Sequence, residues 1–262
     1  MIPKPEPTVS ARKSRLDQSL VEKGIVVSRS QAESFIKLGQ VTVDGKVITK
    51  PGYFVDNEAE IKLSNDEQYV SRAGLKLASV ADQFGLDFTG KMVLDVGSST
   101  GGFTDYALRH GAAKVIAVDV GTNQLHPSLQ GHPKIELHEQ TDIRDYAQSV
   151  KGLSLHIDIV VIDVSFISLR EILPHVAKIV GKNTQIMAML KPQFEAGNAT
   201  KHKGVIKNDR MRREILRDFE SWAKQYFVIE QKADSQVPGA KGNIERFYLL
   251  KPTQQTKAPK QS

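Results

Sequence analysis

Apolar positions change their period along the chain and divide it into a small N-terminal stretch and a larger C-terminal one. Over residues 15–21, Leu16, Leu20 and Val21 fall on one helical face, and Gly24 supplies the stop. A second helix is predicted over residues 29–38, with Ser28 as its cap, Ala32, Phe35 and Ile36 inward and Gly39 ending it. Residues 41–48 then alternate around Asp44-Gly45, a pair suited to the positive φ of a tight hairpin. Arg29, Lys37, Lys46 and Lys50 are left on the solvent side.

After the polar run 64–68, a helix is predicted to open near Tyr69 and continue through Ala78, Val80 and Phe84. It puts Lys76 between Leu75 and Leu77, where a lysine needs a reason. Largely apolar runs follow at 92–96, 114–118, 157–162 and 185–190, each short enough for a buried strand. The last run, 246–250, is entered from a glycine-containing loop. The chain therefore reads as a flexible tail (1–13), a small α+β domain (14–63), a linker (64–70), an α/β domain (71–252) and a disordered tail (253–262).

Composition narrows the function classes. There is no cysteine, which excludes disulfides, thiolate metal sites and a cysteine nucleophile. The histidines show no ligand spacing, so no metal is expected. A formal net charge of +6 suits an anionic partner. No apolar run spans a bilayer, and the polar, proline-rich start is unlike a signal peptide, so the expectation is a cytoplasmic protein without a membrane partner.

The chemistry centres on residues 92–104. Met92, Val93, Leu94 and Val96 form a strand running into Gly97, Ser98, Ser99, Thr100, Gly101 and Gly102, where Ser99 and Thr100 can cap the next helix. About twenty residues later the next strand ends in Asp119, placed to accept the two hydroxyls of a ribose. The turn lacks the G-x-G-x-x-G spacing of a pyrophosphate site, and Asp95 would repel a pyrophosphate while suiting an ammonium. The expected cofactor is S-adenosylmethionine, with Asp95, Gly97, Ser99, Gly101 and Phe103 around its methionine part and Asp119 at its ribose. Asp142, after a further strand-like run, is the expected partner of the adenine amine. Asp163 and Lys191 finish two successive strands on one rim, and Glu245 stands at the mouth of the last.

The run RLDQSLVEKGIVVSRSQAESFIKLGQVTVDGKVITKPG resembles the small RNA-binding module named after ribosomal protein S-four. That resemblance implies RNA contacts by Arg15, Arg29, Ser30, Lys37 and Lys46, with Arg72 added at the start of the larger domain. The motifs YVSRAGLKL, LDVGSSTGGFTD, VDVGTNQL, DVSFISL, LKPQFEAG and GNIERF resemble the TlyA family, which joins that module to an FtsJ-like ribose methyltransferase. The family carries a Lys-Asp-Lys-Glu set, matched here by Lys76, Asp163, Lys191 and Glu245. The resemblance implies a Rossmann-like fold with a largely parallel sheet, and methyl transfer to a ribose 2′-hydroxyl of ribosomal RNA, free or in ribosomal subunits. In that reading Lys191 is the base, Lys76 helps hold the hydroxyl, and Asp163 and Glu245 orient the amines. Ala73 and Asn208-Asp209 depart from the family pattern. Two other readings compete: a noncatalytic RNA-binding assembly factor, and a membrane-active cytolysin, since family members have carried a haemolysin label.

Overall fold

The structure is a computed structural model of the 262-residue chain. It describes residues 13–26, 29–37, 39–63, 69–151, 156–196, 205–206, 208–239 and 242–253. Of the expected flexible ends (1–13 and 253–262), residues 1–12 and 254–262 lie outside the described residues, as do the run 64–68 of the linker and the Ser28 cap, while Lys13 is the first residue of a strand. The chain divides into two compact units, Met1–Gln68 and Tyr69–Ser262.

The first unit runs β1 (Lys13–Arg15), α1 (Leu16–Glu22), α2 (Arg29–Lys37), β2 (Val41–Val43), β3 (Lys46–Val47), β4 (Phe54–Asp56) and β5 (Ile61–Leu63). Leu16, Leu20, Ala32, Phe35 and Ile36 are fully buried, which is the core the helical spacing predicts. Burial of side chains of this size is worth about 1.5–3 kcal/mol each for the larger ones. β2 and β3 form the expected hairpin, with Asp44 at φ 50° and Gly45 at φ 76°. Two features differ from the sequence reading. β1 pairs antiparallel with β4, although three residues without apolar alternation give no strand signal. Val21 is only half-buried, and the fully buried neighbour of Leu16 and Leu20 is the acid Asp17.

The second unit contains α3 (Arg72–Ala81), β6 (Met92–Val96), α4 (Gly102–Arg109), β7 (Lys114–Val118), β8 (Ile135–His138), α5 (Ile143–Ser149) and β9 (Ile159–Ile162). It continues with α6 (Leu169–Val176), β10 (Gln185–Leu190), α7 (Pro192–Glu195), α8 (Asp209–Ala223), β11 (Phe227–Asp234) and β12 (Arg246–Pro252). The strands form one sheet in the order β11-β12-β10-β9-β6-β7-β8. β10, β9, β6, β7 and β8 are mutually parallel, while β12 and β11 join antiparallel at one edge. Runs such as Leu94, Val96, Val160, Ile162, Ile186 and Leu190 are buried because helices cover them, including Ile172 and Leu173 of α6 and Phe219 of α8. α3 stops at Ala81, short of the predicted Phe84, as the backbone turns toward Gly85 at φ 63°; Phe84 still packs in the core.

Parallel strands direct their C-terminal ends to one rim, and β12 starts on that rim because it runs the other way. Register fixes the details. Val96 and Ala188 both stand opposite Ile162, and Leu190 stands opposite Arg246.

Candidate active site

Four of the side chains singled out by sequence meet as two lysine–carboxylate pairs at this rim. Lys191 follows β10 directly and Glu245 immediately precedes Arg246, so the Leu190–Arg246 register makes Lys191 and Glu245 neighbours across adjacent strands. Asp163 follows β9. Lys191 Nζ stands 2.6 Å from Asp163 Oδ1 and donates to Ser165 Oγ at 2.8 Å. Asp163 Oδ1 has no hydrogen-bond partner, so charge holds that pair.

Lys76 lies on the buried face of α3, and its Nζ donates to Glu245 Oε1 at 3.0 Å. Both side chains are nearly closed to solvent, Lys76 at 9% and Glu245 at 2% exposure. Glycines bring α3 this far in. A Cβ on Gly102 would come within 2.9 Å of Gly74 N, so the starts of α3 and α4 touch backbone to backbone. Glu245 is fixed from its own loop: its carbonyl accepts from Ser235 N at 2.9 Å, and a side chain at Gly239 would collide with its carboxylate. Removing one member of such a pair would leave the other charge buried and uncompensated, at a cost of about 3–5 kcal/mol.

Beside the pairs lies a cleft of about 500 Å³, lined by Gly97, Ser99, Asp119, Asp142, Asp163 and Phe166 among others. A smaller cavity of about 140 Å³ adjoins it through Gly97, Ser99, Asp163 and Ser165, and adds Ala73, Asp95 and Phe103. Gly97 has φ 80°, and a Cβ there would lie 2.7 Å from the Asp163 carbonyl, so the β6 turn and the β9 end are in direct contact. Gly101, at φ 88°, is itself the N-cap of α4, and a Cβ there would meet Leu129 at 2.5 Å. The capping expected of Ser99 and Thr100 is not made: α4 has no side-chain cap, and the Ser99 hydroxyl donates to Gln124 at 2.8 Å. The reason is the tight turn itself, which puts Ser99 at φ 46° and points it away from the helix start.

Asp119 is preorganised by the turn, accepting from Ser99 N at 2.8 Å and Gly121 N at 2.7 Å. Asp142 lines the cleft, caps α5 through Arg144 N at 2.8 Å and receives the Arg144 guanidinium at 2.9 and 2.7 Å. Those Arg144 bonds, with the guanidinium charge, hold its carboxyl below the ordinary range. Phe103 is buried against Phe247, 6.3 Å between ring centroids.

Asp95 behaves differently. It is fully buried, Thr104 Oγ1 donates to its Oδ2 at 2.6 Å, and its Oδ1 has no partner. Burial pushes the carboxyl up from 3.8 to about 7, with Asp163 and Asp119 adding repulsion and Thr104 opposing it. A buried, partnerless carboxylate oxygen beside a glycine turn is a site that a cation would satisfy.

Sequence reasoning missed several participants. Thr104 and Ser165 contact Asp95 and Lys191 directly; Ser165 could have been suspected, since it follows Asp163 by two in an extended stretch and so shares its side. Phe166 is 90% exposed at φ 66°, on the lining of the cleft, with its ring 5.1 Å from that of Phe194. A largely solvent-facing phenyl in the left-handed region is uncommon. Of the sequence departures, Ala73 is helical, and Asn208 caps α8 by accepting from Arg210 N at 2.9 Å and Met211 N at 3.1 Å.

A second cavity, about 520 Å³, opens between α5 and α6 and is lined by Arg144, Lys151, His175, Lys178 and Tyr226 among others. Lys151 and Lys178 lie just past the ends of those helices, where cations complement the carbonyl end, which accounts for them without a ligand, while burial and the Lys178 and Arg144 charges hold the His175 imidazole below its ordinary value.

The residues expected to touch RNA are placed as follows. Arg15 donates to Asp17 at 2.9 and 3.0 Å, and Arg29 donates to it at 2.8 Å. Lys37 pairs with Glu33 at 3.5 Å, and Lys46 is exposed on β3. The Ser30 side chain lies outside the described residues. Arg72 donates to the carbonyl of Pro238. Among the described residues no helix is long and apolar enough to cross a membrane, and no group of three or more metal-ligating side chains occurs.

Comparison with known proteins places this geometry in context. Residues 69–251 match the FtsJ-like methyltransferase family, and residues 14–61 match the S4 domain. The chain is 35% identical over 246 residues to the 16S/23S rRNA (cytidine-2'-O)-methyltransferase TlyA of Mycobacterium tuberculosis, covering 92% of this chain and 91% of that one. It is 36% identical to Hemolysin A of Brachyspira hyodysenteriae, covering 88% of this chain and 97% of that one. A solved structure from Streptococcus thermophilus, provisionally called a hemolysin, superposes with a TM-score of 0.68 at 36% identity, covering 94% of this chain and 90% of the other.

Proposed function

We propose, because this chain belongs to the FtsJ-like methyltransferase family and carries an S4 domain ahead of that fold, that it methylates a cytidine ribose 2′-hydroxyl of ribosomal RNA from S-adenosylmethionine. The names of relatives such as the Mycobacterium tuberculosis protein support the substrate. The observation that carries the chemistry is the double pair Lys191–Asp163 and Lys76–Glu245 beside a cleft whose buried acid, Asp95, keeps one oxygen without a partner.

The residues present fit the cofactor. Asp95 Oδ1 is a partner for the ammonium, Asp119 offers its remaining lone pairs to ribose hydroxyls, and Asp142 stands on the lining where an adenine amine would come. When bound, S-adenosylmethionine supplies an electrophilic methyl group on sulfur. Lys191 Nζ, once it has given up its own extra proton and is neutral, would take the proton of the attacking ribose hydroxyl. Asp163 and Ser165 hold that amine in place, at 2.6 and 2.8 Å. Lys76, anchored on Glu245, holds the hydroxyl oxygen. The exposed cations Arg29, Lys37 and Lys46 of the first unit face RNA phosphates, and Arg15 beside them is held in place by Asp17.

The test is incubation with S-adenosylmethionine carrying a labelled methyl group and separate unmodified ribosomal subunits, for wild type and Lys191→Ala. Label is expected on a ribose, with kcat lower by about 10²–10⁴-fold in the variant and cofactor affinity within two-fold. Normal turnover in the variant removes Lys191 from the role of base. Absence of label on subunits and free ribosomal RNA alike overturns the substrate.

A further inference from the structure

The short turn that follows Lys191 ends in an acid for which the proposed chemistry has no use. Glu195 closes α7, and its side chain is 2% exposed. It does not face its own turn. It crosses to the loop that follows Asp163, where Ser168 Oγ donates to its Oε2 at 2.6 Å and Leu169 N donates to its Oε1 at 2.7 Å. Ser168 is the N-cap of α6, so the carboxylate sits at that helix start and satisfies one of its open N–H groups.

The two loops are therefore joined at three levels. Lys191 meets Asp163 and Ser165 at the sheet end, the Phe166 and Phe194 rings lie 5.1 Å apart in the middle, and Glu195 grips Ser168 and Leu169 at the far end. Residues 163–169 and 191–195 thus run alongside each other, with the reactive pair at one end and the buried carboxylate at the other. Behind Glu195, Arg170 Nε is 3.8 Å away, and the same guanidinium donates to Asp218 at 2.6 Å and lies over the Trp222 ring of α8. The grip is thereby tied to the helix layer. Burial pushes the Glu195 carboxyl up, against the two hydrogen bonds and the Arg170 charge that favour its ionised form.

We infer that Glu195 is a positioning residue for Lys191: by bridging to Ser168 and Leu169 it holds the loop after β10 against the loop after β9 and so sets the Lys191 amine against Asp163 and Ser165. It rests on the reading of Lys191 as the base. Glu195 touches neither reacting atom. A misplacement of the amine by about 1 Å is enough to cost roughly 10²-fold in rate.

The experiment compares wild type, Glu195→Ala, Glu195→Gln and Ser168→Ala, with thermal unfolding to confirm the fold. Two quantities are read: steady-state constants for methyl transfer, and the acetylation rate of Lys191 by mass spectrometry, which needs no turnover. Glu195→Ala should lower kcat by about 10- to 100-fold, leave the KM for S-adenosylmethionine within two-fold, and raise Lys191 acetylation several-fold as the amine leaves Asp163. Glu195→Gln can still accept from Leu169 N and meet the Ser168 hydroxyl, so it should keep kcat within three-fold of wild type. Ser168→Ala, which loses one of the two bonds, should fall between them and supplies the answer if Glu195→Ala does not fold. Unchanged Lys191 acetylation in Glu195→Ala and Ser168→Ala overturns the inference, as does a Gln variant as slow as the Ala one. Full activity in Lys191→Ala would instead sink the base assignment, and the acetylation rates would still report whether Glu195 holds the amine.

Discussion

Asp95→Asn separates what Asp95 does for the ligand from what it does to the fold. The wild-type carboxyl is fully buried and its ionisation is pushed from 3.8 to about 7, chiefly by burial. For a carboxyl raised in this way the sign is fixed: the folded state holds the proton more tightly than the unfolded one. Stability from this group is therefore greatest at low pH and is lost as pH rises from about 4 to about 7. Each tenfold is worth about 1.4 kcal/mol, so the accumulated penalty approaches about 4 kcal/mol, an upper bound because a buried site relaxes. Asparagine keeps an oxygen for the Thr104 hydroxyl and carries no titrating charge. In thermal unfolding without cofactor, the stability of Asp95→Asn minus that of wild type should grow by about 2–4 kcal/mol between pH 4.5 and pH 7.5. In a domain of this size that is roughly a 10 °C gain in relative Tm. Other carboxylates titrate over this range in both proteins and cancel in the difference. The same variant should bind S-adenosylmethionine about 10- to 100-fold more weakly by calorimetry, since it loses a charge-assisted bond to the ammonium. A stability difference that stays flat with pH would refute the burial argument. Unchanged cofactor affinity would refute the assignment of Asp95 Oδ1 to the ammonium.

Two further substitutions probe the frame around the site. Gly97→Ala puts a Cβ 2.7 Å from the Asp163 carbonyl at φ 80°, so it should destabilise the second unit by about 2–4 kcal/mol in denaturant unfolding and lower kcat at least tenfold by displacing Asp163; wild-type stability would show that the two strand ends are not in contact. Asp17→Ala removes a fully buried carboxylate that receives Arg15 and Arg29, and hydrogen exchange over residues 16–37 of the full chain should report a loss of about 3 kcal/mol at neutral pH. The Arg15 and Arg29 bonds hold that carboxyl below its ordinary value despite burial, so its contribution is present above about pH 4 and fades as pH falls; an equal loss at low pH would contradict the pairing.

The sequence shows whatever depends on neighbours in the chain. The β6 strand, its glycine turn, the acid after β7 and the Asp44-Gly45 hairpin each carry their signal within a few residues, and each stands where the pattern predicts. Which side chains pair across the fold gives no such signal. Lys76 and Glu245 are 169 positions apart, and only the antiparallel entry of β12 beside β10 brings Glu245 to the rim. That β12 runs antiparallel to β10 cannot be read from an apolar run, because parallel and antiparallel buried strands have the same period. Asp17 illustrates the same limit: its spacing says that it lies beside Leu16 and Leu20, but whether an acid can be buried there depends on Arg29, which arrives from another helix.

The same division explains which residues of the site stayed hidden. Asp163, Lys191 and Glu245 stand at element ends, where an unpaired charge on a buried strand is conspicuous. Glu195, Ser165 and Thr104 stand in turns or on a helix, where polar residues are ordinary, and only their partners distinguish them: Leu169 N for the first, Lys191 for the second, Asp95 for the third. A charge at a strand end announces that a site exists, whereas the groups that orient it are chosen by distance and angle. The rate at such a site depends on both, since an amine held 2.6 Å from its carboxylate is positioned only as well as the loops carrying the two are joined. The loops after β9 and β10 meet at Ser168, Leu169 and Glu195 as well as at the reactive pair, so the geometry at Lys191 is fixed from two ends.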